Sequence, residues 1–326
     1  MQSSVTSDSP IFIVGCQRSG TTLLRNLLRS HPHLAFPEES YFIPAYYKGY
    51  GDPRSAREAR RLAATILRLY WVRHWGMPLR PEDFSDCRTF REVVCRLFET
   101  WARQQGKRRW GDKTPHYVAQ IPVLLELFPA AKILHIIRDG RDVALSWLKT
   151  RFDPLNLYTA ASMWNTMVRA GRQAGAGLPQ QTYMEVRYET LLAETQPTMR
   201  EVCAFLDEPF HEAVLKPTLG ALVFPALQRG GPALSTEIVS SNTGGWKRQM
   251  GVPDRILFES VAGDLLEELG YETEGRRRRI SLAERTMWEL HHRVLWVRCR
   301  LKPQLLRAKL STYLRIKLAG HFTGRT

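Results

Sequence analysis

The sequence predicts an α/β protein with a central parallel sheet covered by helices on both faces, and three observations carry that expectation. Ile11-Phe12-Ile13-Val14, residues 132–137 and residues 183–187 are short apolar runs of the kind that form buried strands. The first two are each followed by a glycine-bearing turn and a helical pattern, and the third precedes another helical pattern. Strands that alternate with helices imply parallel pairing, since a parallel crossover needs a long connection.

Taken in order, Ile11 to Val14 form the first strand, and Thr22 to Ser30 a helix with Leu23, Leu24, Leu27 and Leu28 on a broad apolar face. Residues 53–105 are rich in Arg, Leu, Trp and Ala at helical spacing, with turn signals only around Gly76-Met77-Pro78, and read as a helical layer or insertion. KILHII at 132–137 is the second strand, continued by Arg138-Asp139-Gly140 and a helical run from Val143 to Leu148. Tyr183 to Arg187 make the third, followed by a helix from Thr195 to Leu206 with Thr195 as its cap and Pro197 in its first turn. Residues 217–245 hold many Pro, Gly and Ser and read as a long loop.

A basic tail follows. From Arg276 onward 14 Lys and Arg face two acids, Glu284 and Glu289, so this segment carries +12 of the formal +15. The body, residues 1–275, is then nearly balanced, and residues 276–326 form a separate basic, helical appendix divided at Pro303. Met287, Leu290, Val294, Val297 and Leu301 give its first piece an apolar seam, for which packing on the body is the plain reading. Its basic face, with Arg285, Arg293, Arg298, Arg307 and Lys309, also suits an anionic membrane surface. Nucleic acid is not expected as a partner, because no aromatic-rich RNA motif accompanies the charge.

Five scattered cysteines without a CxxC pair suggest neither a disulfide framework nor a zinc site. The N-terminus MQSSVTSDSP lacks a basic n-region, and the apolar run behind it is too short for a signal or a membrane span, so a cytoplasmic protein is expected.

Gly15-x-x-x-x-Gly20-Thr21-Thr22 matches a phosphate-binding loop at both glycines and at the final hydroxyl, with Thr21 where a nucleotidase has lysine. Backbone N–H groups of such a loop converge on an anion, and the following helix adds its positive end. A P-loop-like three-layer α/β/α domain is therefore expected. Without that lysine a γ-phosphate clamp is missing. Arg18 in the loop and Arg138 at the second strand end supply charge, and no metal is expected.

QRSGTT after a strand, DKTP at 112–115, IIRDGRDVALS at 136–146 and RYETLL at 187–192 occur in an order that resembles the sulfotransferase family using 3'-phosphoadenylyl sulfate, PAPS, most closely its bacterial and tyrosylprotein branch. The resemblance covers roughly residues 10–250 and leaves the tail without a counterpart. It implies that residues 18–22 hold the 5'-phosphosulfate, through Arg18, Ser19, Gly20, Thr21 and Thr22, and that Arg138 and Ser146 hold the 3'-phosphate. Arginine suits that bidentate task. Tyr188 corresponds to the tyrosine beside the adenine, and Lys247, after Gly244-Gly245-Trp246, to a late lysine near the cofactor.

The resemblance also places a general base on Glu39, with Glu38 and His116 as rivals, and makes Lys113 the cation that stabilises the leaving phosphate oxygen. Arg18 and Lys113 together would neutralise the phosphosulfate, and adenosine 3',5'-bisphosphate, PAP, is the product. His31 reads as a helix-end residue, His33 as a loop residue and His135 as a satisfied core histidine. The acceptor stays open among carbohydrate, lipid, peptide tyrosine and small metabolite. Two other functions remain: an atypical kinase using ATP and magnesium, for which Asp139 is the one candidate metal ligand after the second strand, and a non-catalytic membrane-surface protein on the same fold.

Overall fold

The computed structural model describes residues 9–150, 154–216 and 243–300, the last three of these for the backbone alone. Most of the expected 217–245 loop and the second piece of the tail lie outside the described residues.

In chain order the elements begin with β1 (Ile11–Gly15), α1 (Thr21–Arg29), β2 (Leu34–Ala35), α2 (Ile43–Tyr50), α3 (Ala56–Leu67), α4 (Tyr70–Arg73) and α5 (Phe90–Gln104). They continue with β3 (Arg109–Lys113), α6 (Ile121–Leu127), β4 (Lys132–Ile137), α7 (Gly140–Leu148), α8 (Leu157–Gly175), β5 (Tyr183–Arg187), α9 (Tyr188–Ala193) and α10 (Thr195–Phe205). After residue 242 come α11 (Gly245–Gln249), α12 (Val252–Glu268) and α13 (Leu282–Arg300).

The five strands form one sheet in the order β2-β3-β1-β4-β5, and every pair is parallel. Alternation along β1 divides the core in two. Ile11 and Ile13 join Leu24, Leu27, Val186, Leu191 and Val202 on one face, under α1, α9 and α10. Phe12 and Val14 join Val94, Phe98, Trp110, Trp164 and Phe258 on the other, under α5, α8 and α12. This is the expected three-layer α/β/α architecture.

Three strands lie where the apolar runs placed them, and β2 and β3 are additional. β3 reads Arg-Trp-Gly-Asp-Lys, yet all five residues are buried, because β1 and β2 flank it. The 53–105 region is helical over α3, α4 and α5, with a 3-10 turn at Pro81–Phe84, and its apolar side is continuous with the core of that face.

Two local expectations are corrected. Glu194, not Thr195, occupies the cap position of α10, and the Thr195 hydroxyl donates back to the Leu191 carbonyl at 2.8 Å. The described part of the apolar seam of α13 does not pack on the body, and Leu301 lies outside the described residues. Met287, Leu290, Val294 and Val297 are exposed, and the helix is held through Trp288, whose carbonyl accepts from Asn156 Nδ2 at 2.8 Å, and through His292 beside Leu155.

Candidate active site

The loops that follow β1, β3, β4 and β5 meet at the carboxyl edge of the sheet, where ligands bind in open parallel sheets. Gly20 takes φ +96 as it enters α1, and a Cβ there would lie 2.3 Å from the Tyr188 ring. Glycine thus serves both a left-handed turn and a close approach. No side chain caps α1, so its first N–H groups remain available to an anion. The buried Ser19 hydroxyl has no hydrogen-bond partner among the described residues. A buried polar atom so placed fits a missing anionic ligand.

Two guanidiniums border this loop. Arg18 Nε donates to Ser146 Oγ at 3.0 Å, and Arg138 Nη1 donates to the Arg18 carbonyl at 3.2 Å. Burial and the neighbouring Arg138 charge both push the Arg18 pKa down. An anion between the two would relieve that repulsion. Arg138 also lies over the Tyr188 ring, 4.5 Å from its centroid. Arg18, Ser19, Gly20, Arg138, Ser146 and Tyr188 are therefore drawn together, with Thr21 and Thr22 in the first turn of α1. The end of β4 is fixed by Trp164, whose indole N–H donates to the Arg138 carbonyl at 3.0 Å. Gly140 lets that ring in, since a Cβ would meet it at 2.4 Å.

Lys113 ends β3, opposite Ile13 of β1, and is buried against Glu39 in a close ion pair. Burial lowers the Lys113 pKa, and Glu39 opposes the shift. Glu38 goes elsewhere: its carboxylate accepts from Arg25 at 2.8 Å. Burial raises the Glu38 carboxyl, but the Arg25 charge and hydrogen bond, with Lys113 behind them, outweigh it and hold it below the usual range. Gln17 of the loop donates to the exposed His116 ring at 3.1 Å, and Tyr41 packs between His116 and Trp71 of α4.

Beneath the pair is a buried network that the sequence did not announce. Ser40, next to Glu39, donates its hydroxyl to Asp112, next to Lys113. Thr114 donates to the other Asp112 oxygen at 3.0 Å, and Tyr117 reaches Ser40 Oγ at 2.8 Å. Burial pushes the Asp112 carboxyl up to about 7, against these hydrogen bonds. In the unfolded chain the same carboxyl titrates near 3.8, so the folded state holds the proton longer. The stability this group contributes is complete below the unfolded value and is lost as pH rises through about 7. In urea melts, the wild-type minus Asp112→Asn stability difference is expected to fall between pH 4 and 7. Parallel pH profiles for the two proteins would contradict it.

The remaining candidates make other contacts. Lys247 turns to Glu272 at 2.5 Å in an exposed ion pair, while the Trp246 beside it is buried under Arg141. Both oxygens of Asp139 are taken by Arg141. His135 bonds Tyr183 through Nδ1 at 2.6 Å, but its buried Nε2 has no partner among the described residues, so it is only half satisfied there. His31, His33 and Glu208 bring ligand atoms within 4.8 Å of one another at the amino edge of the sheet, where Arg108 and Arg109 also reach Glu208. Among the described residues no helix is long and apolar enough to cross a membrane.

Comparison with known proteins adds three findings. A family model described as "Sulfotransferase family" matches residues 10–212. The chain is 28% identical over 213 residues to a protein-tyrosine sulfotransferase of Drosophila melanogaster, and 27% identical over 219 residues to protein-tyrosine sulfotransferase A of Caenorhabditis elegans. Each match covers 63% of this chain but only 39% and 51% of the relatives' own lengths. Among solved structures, the sulfotransferase domain of the Synechococcus PCC 7002 olefin synthase superposes with a TM-score of 0.59 at 24% identity, over 83% of this chain and 98% of that domain. The sulfotransferase domain of the curacin biosynthetic pathway gives 0.58 at 23%, over 81% and 98%. These two similarities concern the fold.

Proposed function

The chain belongs to the sulfotransferase family, and on that premise we propose that it moves a sulfuryl group from PAPS to a hydroxyl or amine acceptor and releases PAP. The observation that supports this reading best is the convergence of Arg18, Arg138, Ser146 and Tyr188 on the loop from Gly15 to Gly20, beside the Glu39–Lys113 pair.

The donor, once bound, supplies a sulfuryl group whose bond to the bridging phosphate oxygen breaks as a bond to the acceptor forms. The loop N–H groups, Ser19 and Arg18 hold the phosphosulfate end, and Arg138 with Ser146 holds the 3'-phosphate. Tyr188, wedged between Gly20 and Arg138, carries the adenine side. Glu39 accepts the acceptor's proton, a role that contributes about 100- to 10,000-fold when the base is well placed. Lys113 neutralises charge on the bridging oxygen as the bond to sulfur lengthens. Glu39 is the base in this reading because Glu38 is committed to Arg25. The acceptor enters beside Tyr41 and Trp71, so α4 contributes to its recognition.

Calorimetric titration tests the donor site. PAP is expected to bind the wild type, and Arg138→Ala to bind it about 10- to 100-fold more weakly, as fits the loss of hydrogen bonds to a charged group. Binding of ATP with magnesium in place of PAP would overturn the reading in favour of a kinase.

A further inference from the structure

The tail carries an inference independent of the catalytic reading. We infer that α13 is an interfacial helix that docks this protein on an anionic membrane surface through its outward apolar face.

At about 100° per residue, Trp288, His292 and Leu295 share one side of α13, and Ala283, Met287, Leu290, Val294 and Val297 the opposite side. The first side is half-buried against the body. The second is open to solvent, with Met287, Leu290, Val294 and Val297 between 44% and 59% exposed. One helix thus spends one face on the protein and presents a second, apolar face outward. Isolated exposed apolar residues are ordinary, but a continuous helical row of them marks a contact surface.

Charge selects the occupant. The segment from Arg276 onward holds 14 Lys and Arg against two acids. Both acids are in α13, and Glu284 is already paired with Arg278 at 2.7 Å. Arg293 is exposed on the flank of the apolar row. A second copy of this surface would bring two strongly basic segments together, and like charges repel. Nucleic acid would satisfy the arginines but has no use for Met287, Leu290, Val294 and Val297. An anionic lipid surface meets both demands, by burying the apolar row at the acyl boundary and pairing the cations with headgroups.

The position of α13 gives this docking a direction. α8 runs from the carboxyl edge of the sheet to the amino edge: Trp164 bonds the end of β4, Gly171 packs on His135 in its middle, and Gly175 meets Tyr183 at the start of β5. Asn156, which caps α8 and holds α13, therefore lies beyond the carboxyl edge, on the side where the candidate site opens.

The test is co-sedimentation of the full chain with vesicles of phosphatidylcholine alone and of phosphatidylcholine with about a third phosphatidylserine. Binding at least about tenfold stronger to the anionic vesicles is expected, and weakening by salt. The double variant Leu290→Glu, Val294→Glu should lose at least about tenfold of that binding, with its circular dichroism and PAP affinity unchanged. Absence of vesicle binding would overturn the inference, as would equal binding by the double variant, which would leave charge alone responsible. A dimer of the wild type in sedimentation velocity that the double variant abolishes would also overturn it, since a second copy would then cover the face.

Discussion

Lys113→Ala is expected to lower turnover by about 100- to 1,000-fold while PAP affinity stays within a few fold of wild type. The ammonium is buried at the end of β3 and meets one carboxylate, Glu39. In the proposed reaction it acts where negative charge grows, on the oxygen that separates from sulfur. Such a group lowers the barrier without adding much to ground-state binding. Its removal has a second consequence, because the Glu39 carboxylate loses the partner that orients it. Both effects fall on kcat. The measurement is PAP release from PAPS with whichever acceptor the wild type turns over best, alongside a PAP titration of the variant. Undiminished turnover would refute the mechanism. A collapse of PAP affinity would instead make Lys113 a ground-state ligand.

Arg141→Ala is expected to cost about 3–5 kcal/mol of folding stability, the range seen when one partner of a buried ion pair is removed. Arg141 is fully buried, with its guanidinium held by Asp139 at 2.8 Å and Glu259 at 3.1 Å and lying 3.5 Å from the centroid of the Trp246 ring. Glu259 in turn accepts the Glu274 N–H at 2.9 Å, so one arginine links α7, α11, α12 and the segment after α12. Burial already raises the Glu259 carboxyl against the pull of Arg141. With the arginine gone, two buried carboxylates face each other's region uncompensated. The triple variant Arg141→Met, Asp139→Asn, Glu259→Gln removes the charges together and should recover part of the loss. Urea melts of the two variants decide the matter, and a loss under about 1 kcal/mol in Arg141→Ala would show that this network carries little stability.

These two residues illustrate different degrees of legibility. Lys113 was identified through the DKTP motif, but the strand that delivers it was not, because Arg109-Trp110-Gly111-Asp112-Lys113 has charge at both ends and no apolar run. It is a strand because β1 and β2 pair with it on either side. Arg141 drew no notice at all. Asp139, two residues before it, reads in the sequence as the candidate metal ligand of a kinase, whereas the fold gives both of its oxygens to Arg141.

The sequence by itself determined the sulfotransferase-type loop, the three apolar strands and the basic, amphipathic character of the tail. Each of these is written in local terms, as an apolar run, a glycine spacing or a charge density, and local terms fix backbone conformation and burial. Only the tertiary structure decided which glutamate faces Lys113, since that pairing joins residues 74 positions apart and depends on Arg25 claiming Glu38. It likewise turned Lys247 to Glu272 and chose which face of α13 meets the body. Long-range pairing depends on how loops from four strands converge at one edge, and no local pattern records that convergence.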